Sequence, residues 1–196
     1  MANVTLTTPE GKAVWPKLVT PDTKFNAEGV YSCRLIVSED DYRAFRAQLD
    51  PIVEREYANV CAAQGTDVTR AREPCKINDD GEYELYAKQV AKKITKTGDE
   101  LEFSIALFDA NVRPITDEPN IGSGSIIKMS VQPYCWYVAS QGFGYTLRLK
   151  AAQILEMVEY ESQGGHGFSK ESSYAVNVEG FGEVLTTDAK SEDSNF

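Results

Sequence analysis

The side chains that could do covalent or metal chemistry are few and poorly spaced for it. The single histidine, His166, lies in a glycine-rich segment, so neither a Ser/His/Asp nor a Cys/His nucleophile system can be assembled. Cys33, Cys61, Cys75 and Cys135 form no Cys-x-x-Cys pair and have no histidine nearby, which is not the ligand spacing of structural zinc. They read as reduced, mostly buried thiols. Ile121-Gly122-Ser123-Gly124-Ser125 has the glycines of a phosphate loop, but it lacks the Gly-Lys-Ser/Thr ending and leads into a strand rather than a helix. Glu39-Asp40-Asp41 and Asp79-Asp80 could suggest magnesium-dependent nuclease chemistry; a helix cap and a turn explain them better. The expectation is a non-enzymatic protein without metal or cofactor.

Non-covalent chemistry is better supplied. Strand alternation turns Tyr31, Leu35, Leu101, Phe103, Ile105, Leu107, Ile127, Met129, Val131, Tyr145, Leu147 and Leu149 inward. Their neighbours Arg34, Lys128, Arg148 and Lys150 then face outward. Leu85 and Ala87 suit the core, which places Tyr86, Lys88 and Lys92 outside, with Phe108 on the partner strand. Beyond Pro133 either Tyr134 and Trp136 or Cys135 and Tyr137 face out, and Trp136 is taken as the ring that does. Any one of these cations is what ordinary solvation of a strand supplies. As a set they combine cations, which track phosphates, with rings, which stack on bases. Arg34, Tyr86, Lys88, Lys92, Phe108, Lys128, Trp136, Arg148 and Lys150 are therefore the candidate surface for single-stranded DNA. The run Lys88, Lys92, Lys93, Lys96 is basic within an acidic protein.

Several elements must position that surface. Residues 13–20 read as a first strand, with Pro16 marking an edge or bulge. Val30 to Val37 alternates as a half-buried strand. Ser38-Glu39-Asp40-Asp41 reads as a capping box opening a helix with Tyr42, Phe45 and Leu49 on one stripe. Asp50-Pro51 re-caps a second helical segment with Ile52, Val53, Tyr57, Val60 and Cys61 inward, which Gln64-Gly65 stops. Residues 65–81 look polar and irregular. Glu82 to Thr95 is expected as one long strand, joined through a Gly98-Asp99 turn to Leu101 to Asp109 as its antiparallel partner. After a long loop over 110–124 come strands at Ser125 to Val131, Tyr134 to Ala139 and Phe143 to Lys150, and a strand or short helix over 151–160. Many short strands with one helical insert after an early strand fit a mainly β fold, a Greek-key β-barrel of the OB type; strand counts alone also fit a sandwich.

The totals agree with this picture. The chain has 196 residues, 42% of them hydrophobic, enough for one domain with a real core. No segment approaches the ~20 apolar residues of a membrane span, and the N-terminus shows no signal-peptide pattern, so the cytoplasm is expected. The net charge of −10 excludes a wholly basic coat but not a local basic face. The domain is expected over 1–161, with 162–196 a largely disordered, acidic C-terminal tail allowing a short ordered piece near Tyr174 to Phe181. Asp188, Glu192, Asp193 and the terminal carboxylate outnumber Lys190. Such a tail can occupy a basic groove and be displaced by DNA, present the terminal Phe196 to partners, or simply solubilise.

Several pieces in order resemble the phage single-stranded-DNA-binding proteins of the podovirus replication type. They are Trp15-Pro16-Lys17-Leu18, Tyr31 to Val37 leading into a helix, Tyr83 to Lys88, and Leu107-Phe108-Asp109-Ala110 with the loop to Ser125. Gly144 to Ile154 and an acidic tail closing on Phe196 complete the series. The resemblance implies an OB-fold and protection of single strands during phage DNA replication, recombination and repair in the host cytoplasm. It also implies tail contacts with replication proteins, such as a polymerase or a helicase/primase, through Asp188, Glu192, Asp193 and Phe196. A homodimer is compatible with it. A virion structural or assembly protein and an annealing or recombination mediator stand as alternatives.

Overall fold

The computed structural model describes residues 4–95 and 97–159; the expectations placed on Lys96, His166, Asp188, Glu192, Asp193 and Phe196 lie outside the described residues. The elements, in chain order, are β1 (Leu6–Thr7), β2 (Gly11–Asp22), β3 (Val30–Val37), α1 (Glu39–Gln64), β4 (Cys75–Ile77), β5 (Tyr83–Val90), β6 (Lys92–Ile94), β7 (Glu100–Glu102), β8 (Ala106–Phe108), β9 (Ile126–Val138) and β10 (Gly142–Glu156).

Five of these strands close on themselves. β9 pairs with β2, β2 with β3 and β3 with β5, all antiparallel. β5 then pairs in parallel with β10, and β10 returns antiparallel to β9. Numbering the five barrel strands in chain order, the ring runs 1-2-3-5-4-1 with a parallel 3–5 contact. That closure is an OB-type barrel, which leaves no open edge in its ring. The short strands are additions: β1 on β9, β4 on β5 and β8 in parallel on β10.

The period-2 pattern builds the interior. Cys33 and Leu35 of β3, Leu85 and Ala87 of β5, Ile127, Met129 and Val131 of β9, and Leu147 and Leu149 of β10 are all buried. Fully burying a side chain such as Leu35 contributes about 1.5–3 kcal/mol. α1 adds Phe45, Leu49 and Val53 to the same core.

The helix start is as the capping box predicts: Ser38 Oγ accepts from the Asp41 N–H at 3.2 Å. Gly65 closes the helix in the left-handed conformation, with φ 70°. The expected re-capping at Asp50-Pro51 does not occur, and the helix runs unbroken through Pro51. Pro51 has no N–H for the carbonyl of Ala47, but both residues are on the solvent side, so water can satisfy that carbonyl. The stripe of Phe45, Leu49 and Val53 holds both halves on the barrel.

The long hairpin expected over 82–109 forms only at its tip, where residues 92–94 and 100–102 pair antiparallel about the Gly98-Asp99 turn. At Ala91 the chain turns out of the barrel: its N–H donates to the Gly29 carbonyl at 2.8 Å, and its carbonyl accepts from the Phe103 N–H at 2.7 Å. β6 and β7 form a separate two-stranded sheet, so Leu101, expected inward, is exposed. Two expected strands around Pro133 are instead the single strand β9. Beyond Val131, where β1 stops pairing, β9 has β10 as its one named neighbour, which is where a missing N–H is tolerated. The segment read as irregular holds β4, and residues 151–156 continue β10 rather than turning helical.

Candidate nucleic-acid interface

Cross-strand register aligns a polar row over the whole barrel. Lys17 opposes Ser32, Ser32 opposes Lys88, Lys88 opposes Arg148, and Arg148 opposes Gln132. Opposed residues share a face, and this row alternates with buried Cys33, Ala87, Leu147 and Val131, so it lies outside.

Aromatic rings flank the row. Arg34 opposes Tyr86, with its guanidinium 5.3 Å from the ring centroid. Arg148 lies 3.5 Å from the centroid of Tyr134. Trp136 opposes Gly144, and a Cβ added to that glycine would come within 2.4 Å of the indole. The ring therefore covers a glycine because no larger residue fits beneath it. Tyr134 and Trp136 are the pair that faces out after Pro133, since Cys135 opposes buried Tyr145.

Arg34, Tyr86, Lys88, Trp136 and Thr146 line an open groove of about 330 Å3, together with Arg72, Pro74 and Lys76. Its two acids are already engaged. Buried Glu84 lies 3.8 Å from both Arg34 and Lys76. Glu73 accepts from Arg46 at 2.6 Å and from the Tyr145 hydroxyl at 3.2 Å. Glu84 thus offsets one charge of the four cations Arg34, Arg72, Lys76 and Lys88, and Glu73 is offset by Arg46 from outside the lining, so the groove stays positive in a protein whose net charge is −10. Behind it, burial pushes the Cys75 thiol up to about 12 and raises the Tyr145 hydroxyl well above the usual phenol range. Both stay neutral as floor, not chemistry.

The structure thus gathers Arg34, Tyr86, Lys88, Trp136 and Arg148 of the expected set, with Lys150 exposed at a bulge of β10 just beyond Arg148. Lys92 stands apart on the β6–β7 hairpin, held by Glu100 at 3.1 Å and Glu102 at 2.8 Å. Phe108 lies on β8 opposite Gln153, which in turn opposes Lys128. Lys128 lines a different recess and lies 3.9 Å from Glu10. Sequence reasoning missed Lys17, Arg72 and Lys76. The alternation of β2 that would have revealed Lys17 is interrupted between Val14 and Lys17 by a bulge. Arg72 and Lys76 reach the groove through β4 and the turn before it, which carry little pattern of their own.

Among the described residues, no helix is long and apolar enough to cross a membrane, and no three His, Cys, Asp or Glu side chains gather as a metal site. Residues 12–157 match the sequence profile of the family described as single-stranded DNA-binding protein, bacteriophage T7. No curated protein matches the chain. Among solved structures, it is similar to the single-stranded-DNA-binding protein of bacteriophage T7, with a TM-score of 0.71 at 19% identity over 90% of this chain and 100% of that one. It is also similar to the single-stranded-DNA-binding protein of bacteriophage Enc34 in complex with single-stranded DNA, with a TM-score of 0.58 at 13% identity over 79% of this chain and 88% of that one. At these identities the likeness shows the fold: an OB barrel with a helix inserted after an early strand.

Proposed function

Since the chain belongs to the family of the bacteriophage T7 single-stranded-DNA-binding protein, we propose that it binds single-stranded DNA with little regard to sequence. The binding would protect single strands during phage DNA replication, recombination and repair in the host cytoplasm. One observation supports this reading of the site: Arg34, Tyr86 and Lys88 line one groove from β3 and β5, the second and third barrel strands, the face that OB barrels use for oligonucleotides.

The groove supports this mode of binding by its chemistry. Lys88, Arg148 and Arg34 hold phosphates, and Lys76 and Arg72 enlarge the positive field. Tyr86, Tyr134 and Trp136 offer ring faces for bases. Stacking is sequence-tolerant because every base has a π-face. The guanidinium–ring pairs keep Tyr86 and Tyr134 oriented before DNA arrives, which lowers the ordering cost of binding. Nothing in this mode requires a reaction, so the protein acts as a binder rather than an enzyme.

Titration of the protein against labelled oligo-dT tests the site. Tyr86→Ala is expected to lose about 1–3 kcal/mol, about 5- to 150-fold in affinity, with the fold unchanged by circular dichroism. Wild-type protein without affinity at low salt would refute the reading.

The remaining residues, 162–196, are proposed as a tail that contacts replication proteins through Asp188, Glu192, Asp193 and Phe196, apart from a DNA-binding domain over 1–161. If the acidic tail also competes for the groove, deleting residues 183–196 strengthens oligo-dT binding; unchanged or weaker binding removes the competition.

A further inference from the structure

On the same reading that the groove holds a DNA single strand, we propose that Trp15 is a second base-stacking subsite, at the β2 end of the strand's path. It takes a nucleobase flanking those in the central groove. Trp15 is 70% exposed, although tryptophan is a residue the core normally claims. Its backbone sits in the left-handed region at φ 50°, which is costly for a bulky side chain. Here the strain gains no buried contact for most of the ring; it serves to present the ring.

The surroundings hold that conformation. Trp15 lies in the β2 bulge between Val14, which opposes Arg34, and Lys17, which opposes Ser32. Its N–H donates to Ser123 Oγ at 3.0 Å. The loop carrying Ser123 is pinned on both sides, by the Gly124 N–H to the Ala13 carbonyl at 2.8 Å and the Gly122 N–H to the Val158 carbonyl at 2.7 Å. Backbone strain that the fold over-determines in this way clusters at sites of function.

Continuity with the groove identifies the occupant. Lys17 ends the polar row that runs through Lys88 and Arg148. Followed through β10, β5 and β3, the row from Gln132 to Lys17 takes four inter-strand steps of about 4.8 Å, about 19 Å of path around the barrel. A strand bound at Trp136 and Tyr86 and continuing past Lys88 reaches Lys17 and then the Trp15 ring. The recess there, about 580 Å3, includes Lys17 and Lys24 but also Asp22 and Glu118. With charge balanced, this subsite contributes stacking rather than phosphate neutralisation.

The chain has two tryptophans, Trp15 and Trp136, so each can be read alone. In a Trp136→Phe variant, saturating oligo-dT of about 16 nucleotides should quench Trp15 emission, and an oligomer of about 4 nucleotides should not; these lengths bracket the footprint of an OB fold. In Trp15→Phe, both oligomers should quench Trp136. Trp15→Ala should weaken binding of the long oligomer about tenfold with its salt dependence unchanged and leave the short one alone. Quenching of Trp136 with Trp15 silent at both lengths, or with Trp15 quenched equally by the short oligomer, overturns the subsite but leaves the groove. Silence of both tryptophans would instead remove the groove itself.

Discussion

Gly144 shows how one missing side chain shapes the groove. Its neighbour across the ladder, Trp136, rests where a Cβ would stand 2.4 Å from the indole, so Gly144→Ala must displace the ring. The expected outcome is a drop of about tenfold in oligo-dT affinity with less Trp136 quenching, because a stacking platform worth about 1–3 kcal/mol is misplaced. Fluorescence titration of Gly144→Ala beside wild type checks it. At this scale the alternation of β3 and β5 was legible: Arg34, Tyr86 and Lys88 fall where period 2 puts them. The pairing of Arg148 with Lys88 was not, because a parallel contact between β5 and β10 joins residues about sixty positions apart and leaves no local trace.

The elements explain why Lys92 reads as part of the site and stands outside it. In sequence it continues Lys88 along one strand, two periods on. In the structure Ala91 diverts the chain, and β6–β7 stands off the barrel with Lys92 between Glu100 and Glu102. Lys92→Gln is therefore expected to leave oligo-dT affinity and its salt dependence unchanged, measured by the same titration. A hydrophobic pattern shows that Leu101 and Leu107 alternate, but not that a buried alanine splits them into β7 and β8 with different partners. The helix was legible at both ends, through Ser38 and Gly65, because caps are local chemistry. Its continuity through Pro51 was not, because packing of Phe45, Leu49 and Val53 decides it.

For the whole molecule, the central question is how a chain of net charge −10 holds a polyanion. Screening supplies the answer: beyond a Debye length of about 8 Å at physiological salt, distant acids are largely masked, and the nearby cations set the field. Barrel closure brings those cations together from β2, β3, β4, β5 and β10. The measurement that tests this most directly is the oligo-dT dissociation constant as a function of salt, for wild type and a Lys88→Gln/Arg148→Gln double variant. Wild-type affinity should fall steeply and linearly on log–log axes. The double variant's slope should be shallower by about 1.4, because each phosphate that a cation neutralises on a single strand adds about 0.7 to the slope. Equal slopes for the two proteins would contradict the account, because the charged row across the barrel would then not be where the strand lies.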